Sequence, residues 1–428
     1  MNTARLVFTI VLCAAASLGA EEFQANVRTA ENQCHPALAT GRDGGFVLVW
    51  SSYFSSPGRS NEIIARPFDP NGTPTGEEFQ MNQIGAGNQT EPSLAINGEG
   101  YLLAAWHGPG ADGEEDIFAR VFDPNGDPVT DELAVNADPN GRQRYPSVAA
   151  GDSGLFIIAW ESQPSDEMDG NTTIRAQRFD PNGAPVGPEI RIDEDAYDCR
   201  YPEVASDAAG NVAVVWMQDR TGKIIYARLL DPNGAAISPP FEVNVDDIAS
   251  VTRPAVAMTA VGDFVVVWDG DPNLAGLDDI HARCFEPNGA PHSDPFLVNV
   301  LREGPQQWPQ VAINDANEFV VVWQHEHEDP NLATDIFARR FDYHSRPLCD
   351  ETKLNGYVAG KQRYPDVALA TDGSFLAAWE SDDQDGSDYG VFAHLEPPMA
   401  MADPNANGVA EEGFEAYRSE TPGPHQRE

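Results

Sequence analysis

Phe264-Val265-Val266-Val267-Trp268 is a short apolar run closed by a tryptophan, and it recurs along the chain. Matching runs end at Trp50, Trp106, Trp160, Trp216, Trp323 and Trp379. The tryptophans stand about fifty-five residues apart, and self-similarity at a fixed period of this kind marks a repeat architecture. A run that is apolar at every position, bounded by turn residues, reads as a strand covered on both faces.

The second unit shows how each repeat is built. Pro92-Ser93-Leu94-Ala95 begins a strand, Asn97-Gly98-Glu99-Gly100 turns, and the apolar run follows to Trp106. An acidic, Gly-rich loop leads to Asp116-Ile117-Phe118-Ala119-Arg120-Val121-Phe122, then Asp123-Pro124-Asn125-Gly126 turns into a short fourth strand. In that turn proline presets φ and glycine takes the left-handed conformation that opens a bulged hairpin. The turn recurs from Asp69, Asp180 and Asp231, with a near copy from Glu286; the sixth unit has Asp342-Tyr343-His344-Ser345 instead.

The seventh unit stops one strand short. Fourth strands end at Asn82, Asn136, Asp193, Asn244, Asn299 and Asn355, and the missing copy is Phe23-Gln24-Ala25-Asn26 near the N-terminus. An N-terminal strand completing the last unit closes a ring and leaves no unpaired inner edge. The expected fold is therefore all-β: a seven-bladed β-propeller of four-stranded blades over residues 21–395. Residues 396–428 read as a flexible acidic tail, poor in apolar residues.

Residues 1–20 have the form of a secretory signal: Arg5, an apolar core, then small residues with cleavage expected after Ala20. No later apolar run reaches the length needed to cross a bilayer as a helix. The expected product is secreted or periplasmic and monomeric. With 68 acidic against 26 basic residues and a formal charge of −42, the surface repels phosphate backbones and anionic lipid, so neither nucleic acid nor membrane insertion is expected. After processing, Cys34, Cys199, Cys284 and Cys349 remain, at unlike positions in their repeats, and the sequence selects no pairing.

The unit, with its FDPNG turn and FVVVW strand, resembles repeats of bacterial secreted and surface proteins that often stand beside cadherin-like or RTX-type calcium-binding modules. That resemblance implies an exported, calcium-rich setting and no reaction. Arg144-Tyr145-Pro146, Arg200-Tyr201-Pro202 and Arg363-Tyr364-Pro365 resemble the Arg-Ile-Pro element of sialidase-like propellers. The Asp boxes of that family are absent, so no active site is carried over.

In a propeller, the loop entering each first strand and the loop from second to third strand share one face. The first of these loops carries Gln33, Gln89, Gln143, Gln306 and Gln362, each followed by a proline three residues on. Near that proline stand Tyr145, Tyr201, Trp308 and Tyr364, with Arg144, Arg200, Arg253 and Arg363. Aromatic faces with guanidinium donors suit sugars or carboxylates, so these eight residues are the candidate ligand site. The same residues also suit structural work, tyrosine between blades and arginine against local acid. The seventh acidic loop offers Asp383, Asp385 and Asp388 as a Ca²⁺ site. The second and third loops offer Asp112, Glu114 and Asp116, and Asp166, Glu167 and Asp169.

Three other features read as structural. The strand arginines Arg66, Arg120, Arg228, Arg283 and Arg339 are expected to pair with acid or stack on the repeated tryptophan. Gly151-Asp152-Ser153-Gly154 matches a serine-nucleophile string but occupies a tight turn. His325-Glu326-His327 lacks a third metal ligand in sequence and reads as a solvated loop. The functional expectation is a non-catalytic binding or adhesion module for a glycan or protein ligand. The alternatives are a hydrolase of polysaccharide or sialic-acid-like substrates, and a protein-interaction scaffold.

Overall fold

Each tryptophan-closed run is the second strand of a four-stranded antiparallel sheet, and among the described residues seven such sheets form. The structure is a computed structural model that describes residues 21–54, 60–83, 85, 87–164, 171–194, 197–220, 222–244, 250–271, 277–327 and 333–398. The signal segment, the acidic residues Asp166, Glu167 and Asp169, and the tail beyond Pro398 lie outside these residues. The innermost strands are Gln33–Thr40, Thr90–Ile96, Arg142–Ala150, Asp198–Ser206, Ser250–Met258, Gln306–Ile313 and Gln362–Leu369, numbered here as blades 1 to 7. Each packs on the next and the last packs on the first, so the blades close into a propeller.

Closure happens where the missing fourth strand predicts it. Glu21–Gln24 pairs antiparallel with Tyr389–Glu396, with Phe23 opposite Ala393. The Ala25 N–H donates to Val391 O at 2.8 Å, and Asn26 Oδ1 accepts from the Val391 N–H at 2.9 Å. The other strand-ending residues do the same in their own blades: Asn82 accepts from Ile63, Asn136 from Ile117 and Asp193 from Ile174.

The core lies between blades. Trp268, fully buried, packs with Val266 and Phe264 against Val215, Met217 and Ile225 of the preceding blade. Trp50 packs across the closure, against Ala25, Leu376 and Val391. The strand arginines add a second tie. Nη1 of Arg66, Arg120, Arg228, Arg283 and Arg339 donates at 2.7–2.9 Å to Ala25 O, Met81 O, Ile192 O, Val243 O and Val298 O of the preceding blade's last strand. Four of these guanidinium groups sit over Phe68, Phe122, Phe285 and Phe341, not over tryptophan. Arg228 also pairs with acid as expected, with Glu194 at 2.6 Å, but the partner common to all five is the backbone carbonyl. A buried carbonyl whose strand has ended needs a donor, and arginine reaches it.

Gly151-Asp152-Ser153-Gly154 is a tight turn, as expected, with Asp152 paired to Arg42. His325 is buried in the strand Glu318–Glu326 instead of a solvated loop, its Nδ1 2.6 Å from Gln306 Nε2. Cys34, Cys199, Cys284 and Cys349 are unpaired.

Candidate active site

Every inner strand is interrupted by a proline: Pro36, Pro92, Pro146, Pro202, Pro254, Pro309 and Pro365. Proline cannot donate to the ladder, and at each of these points the register slips in a β-bulge. The residue before the proline is driven into left-handed backbone. The φ values are 52° at His35, 53° at Glu91, 51° at Tyr145, 56° at Tyr201, 33° at Arg253, 58° at Trp308 and 52° at Tyr364. For non-glycine residues this costs about 1–3 kcal/mol each, and such strain concentrates at functional sites.

The bulges turn these seven side chains to the mouth of the central channel, where they surround a cavity of about 190 Å³. Tyr145 and Tyr201 meet edge to face at 5.9 Å. The Arg253 guanidinium lies 4.4 Å from the Tyr201 ring centre and 3.3 Å from that of Trp308. Trp308 meets Tyr364 at 4.2 Å, Tyr364 meets His35 at 5.0 Å, and His35 Nε2 lies 3.5 Å from Glu91 Oε1. The ring has an aromatic arc around one arginine and an acid–base corner made of His35 and Glu91.

Carboxylates of neighbouring blades hold the strained turns. The residue after the blade tryptophan accepts from the pre-proline N–H of the next blade: Glu380 from His35 at 3.1 Å, Glu161 from Tyr201 at 2.7 Å, Asp269 from Trp308 at 3.2 Å. Burial pushes Glu161 up to about 7 and Asp269 up to about 6.

The floor of the cavity carries the residues just after the prolines. Asp366 accepts from the Leu38 and Val367 N–H groups at 2.8 Å, so both its oxygens are engaged by backbone. Glu203 accepts the Ser147 hydroxyl at 2.7 Å, and Ser147 Oγ in turn accepts the Val204 N–H at 3.1 Å. Burial is the leading cause that raises Glu203 to about 7 and Asp366 to about 6; the charge of Asp366 also raises Glu203, and Arg253 opposes it. A carboxyl near 7 that lines a cavity can both give and take a proton under neutral conditions.

The sequence-predicted residues divide here. Tyr145, Tyr201, Arg253, Trp308 and Tyr364 meet at the mouth. Arg144, Arg200 and Arg363 do not line the cavity. They are bound to Glu115 at 2.8 Å, Asp198 at 2.6 Å and Glu380 at 2.8 Å. One residue of offset along a strand sends the side chain to the other face. His35, Glu91, Glu203 and Asp366 were missed. Their signal was positional, the residues flanking the proline of each unit, and a search by aromatic or arginine type passes over them.

Asp383, Asp385 and Asp388 lie in the turn between the second and third strands of blade 7. Asp385 Oδ2 accepts from Asn26 Nδ2 at 3.2 Å and Oδ1 from the Ser387 N–H at 3.1 Å, while Asp383 and Asp388 are exposed. Among the described residues no three His, Cys, Asp or Glu side chains gather as metal ligands. In the second acidic loop, Glu114 is paired to Arg142 and Asp116 accepts from Asn136. A further cavity of about 330 Å³ lies beside the turns of blades 1 and 2, walled by Phe46, Phe68, Phe79 and Phe122. It lacks the converging buried polar groups of the mouth.

No protein-family model and no curated protein matches the chain. Solved structures do share the fold. A protein of unknown function from Dyadobacter fermentans is 12% identical with a TM-score of 0.53, over 88% of this chain and 98% of its own. An ulvan lyase, described as a new family of polysaccharide lyase bound to a GlcA–Rha3S saccharide, is 11% identical with a TM-score of 0.56, over 86% and 94%. A second polysaccharide lyase is 8% identical with a TM-score of 0.52, over 85% and 90%. At these identities the likeness is one of fold. It runs against the expectation of a non-catalytic adhesion module, because the two of these structures with a stated activity are polysaccharide lyases.

Proposed function

We propose that this protein is an exported enzyme that cleaves a polysaccharide at the channel mouth. The observation that carries the reading is Glu203 on the floor of an aromatic-walled cavity, with its carboxyl near 7 and, among the described residues, one hydrogen bond, from Ser147. Tyr145, Tyr201, Trp308 and Tyr364 offer flat apolar faces for sugar rings. A carboxyl poised near neutrality transfers a proton to or from a glycosidic oxygen or ring carbon as the bond breaks. His35, 3.5 Å from Glu91, provides a second proton-transfer group across the mouth.

The test is product release from a panel of neutral, uronate, sulfated and sialylated polysaccharides. The wild-type protein should release oligosaccharides from at least one of them. Glu203→Gln should lower that rate by on the order of 10²–10⁴-fold, the usual contribution of a positioned proton-transfer group, with the melting temperature held. A saturated sugar at the new non-reducing end would mark hydrolysis, and an unsaturated sugar there would mark elimination. No product from any polysaccharide, or full activity in Glu203→Gln, would overturn the reading.

A further inference from the structure

Arg253 stands apart from the other arginines of the mouth face. Arg144, Arg200 and Arg363, one step earlier in their own units, each hold a carboxylate within 2.6–2.8 Å. Arg142 does the same with Glu114 at 2.7 Å. Arg253 instead occupies the pre-proline position, where blades 3, 4 and 7 carry tyrosine and blade 6 carries Trp308. It is the single Lys or Arg among the cavity-lining residues. Among the described residues its contacts are two aromatic rings, Tyr201 and Trp308, and no carboxylate lies within ion-pair distance. Other arginines without a carboxylate, such as Arg66, Arg120 and Arg339, donate to backbone carbonyls instead, and among the described residues Arg253 does neither.

Its surroundings prepare it for an incoming anion. Its guanidinium carbon lies 3.3 Å from the ring centre of Trp308 and 4.4 Å from that of Tyr201, and such cation–π contacts hold a guanidinium in place without using its N–H donors. The buried carboxylates in its neighbourhood are already engaged: Asp269 by Thr252 and the Trp308 N–H, Glu161 by the Tyr201 N–H, Glu203 by Ser147. A planar fork beside stacking rings fits a carboxylate or sulfate carried on a sugar ring, bound through two parallel N–H bonds. It also counters a strongly negative surface that otherwise turns acidic polymers away.

We infer that Arg253 selects an acidic sugar, a uronate or sulfated residue, by binding its anionic group at the channel mouth while the aromatic arc takes the sugar ring. This rests on the reading of the mouth as a polysaccharide site and specifies which class of chain enters it. Arg253 is thereby a specificity residue and is not required to transfer a proton.

The experiment compares matched pairs of probes: polygalacturonate and alginate against their carboxyl-reduced forms, and a sulfated glycan against its desulfated form. Binding and turnover are measured for wild type, Arg253→Met and Arg253→Lys. Wild type should prefer the acidic member of at least one pair by about tenfold to a hundredfold, the range of a hydrogen bond to a charged group. Arg253→Met should weaken binding of the acidic member more than that of the neutral member, so that the preference is lost, and Arg253→Lys should keep part of it. The pair that shows the preference tells carboxylate from sulfate.

Equal wild-type binding of both members in every pair would overturn the inference while leaving the polysaccharide site standing. So would an equal loss on acidic and neutral members in Arg253→Met, which would make Arg253 a counter-charge for Glu203. Absence of binding and turnover on every probe would instead remove the polysaccharide reading beneath it. Melting curves of both variants separate these results from misfolding.

Discussion

Gln362 is legible in the sequence as a repeated polar residue at the start of an inner strand, but its partner is not. It is fully buried, and its Oε1 accepts from the Nε1–H of Trp379 at 3.0 Å. Gln33, Gln143 and Gln306 do the same for Trp50, Trp160 and Trp323 at 2.9–3.1 Å. The glutamine belongs to the tryptophan of its own blade, seventeen residues on, and not to a ligand or a neighbouring loop. Gln362→Ala should cost about 1–3 kcal/mol, because it strands a buried donor as well as opening a void. Chemical denaturation measures this, and an unchanged unfolding midpoint would contradict it. Arg144 and Arg253 teach the same lesson. Both were nominated by type, and only Arg253 falls at the position that the bulge directs into the mouth.

The proline-broken inner strand is the element that makes the site. Its left-handed residue is strained alone, and in blades 1, 4 and 6 it is held by a carboxylate from the blade before. That arrangement sets a pH dependence. Glu161 and Glu203 lie near 7, and Asp269 and Asp366 near 6, all above the ordinary 4.5 and 3.8. A raised carboxyl binds its proton more tightly in the folded state, so its contribution is present at low pH and lost as pH rises through the folded value. Burial lowers His107 and His325 from 6.5 to about 4, and these act oppositely, with stability lost as pH falls below 6.5. Between about pH 8 and about pH 6.5 the four carboxyls outweigh the two histidines, which only begin to charge in the unfolded chain, so the melting temperature should rise as pH falls across that interval. Glu203→Gln should flatten part of that rise. A melting temperature that climbs with pH there would show that the buried carboxyls do not govern stability.

Around the whole ring, each blade buries its tryptophan face on the one before it, so the last interface needs both ends of the chain. Phe23 packs against Phe68 at 5.7 Å, and Ala25 sits in the cluster of Trp50, Leu376 and Val391. A chain that begins at Val27 should lose the fourth strand of blade 7 and the partner of Arg66, and expose the edge of Tyr389–Glu396. It should melt at a lower temperature and self-associate through that edge, read by thermal melting and size-exclusion chromatography. A truncated chain as stable and as monodisperse as the full one would refute closure by this strand.

The repeat, the strand pattern, the turns and the exchange of the N-terminal strand were all legible in the chain, because period, apolar runs and turn chemistry act over a few residues. The set of residues that meet at the mouth was not. His35 and Glu91 lie in the first two units and have no like residue before the proline of any other unit, and only the fourth and seventh units carry an acid after it, Glu203 and Asp366. Only ring closure brings them around one channel, and only the bulge before each proline decides which side chain faces it. The raised carboxyl of Glu203 has the same origin, since desolvation is a property of what surrounds a group and not of the group.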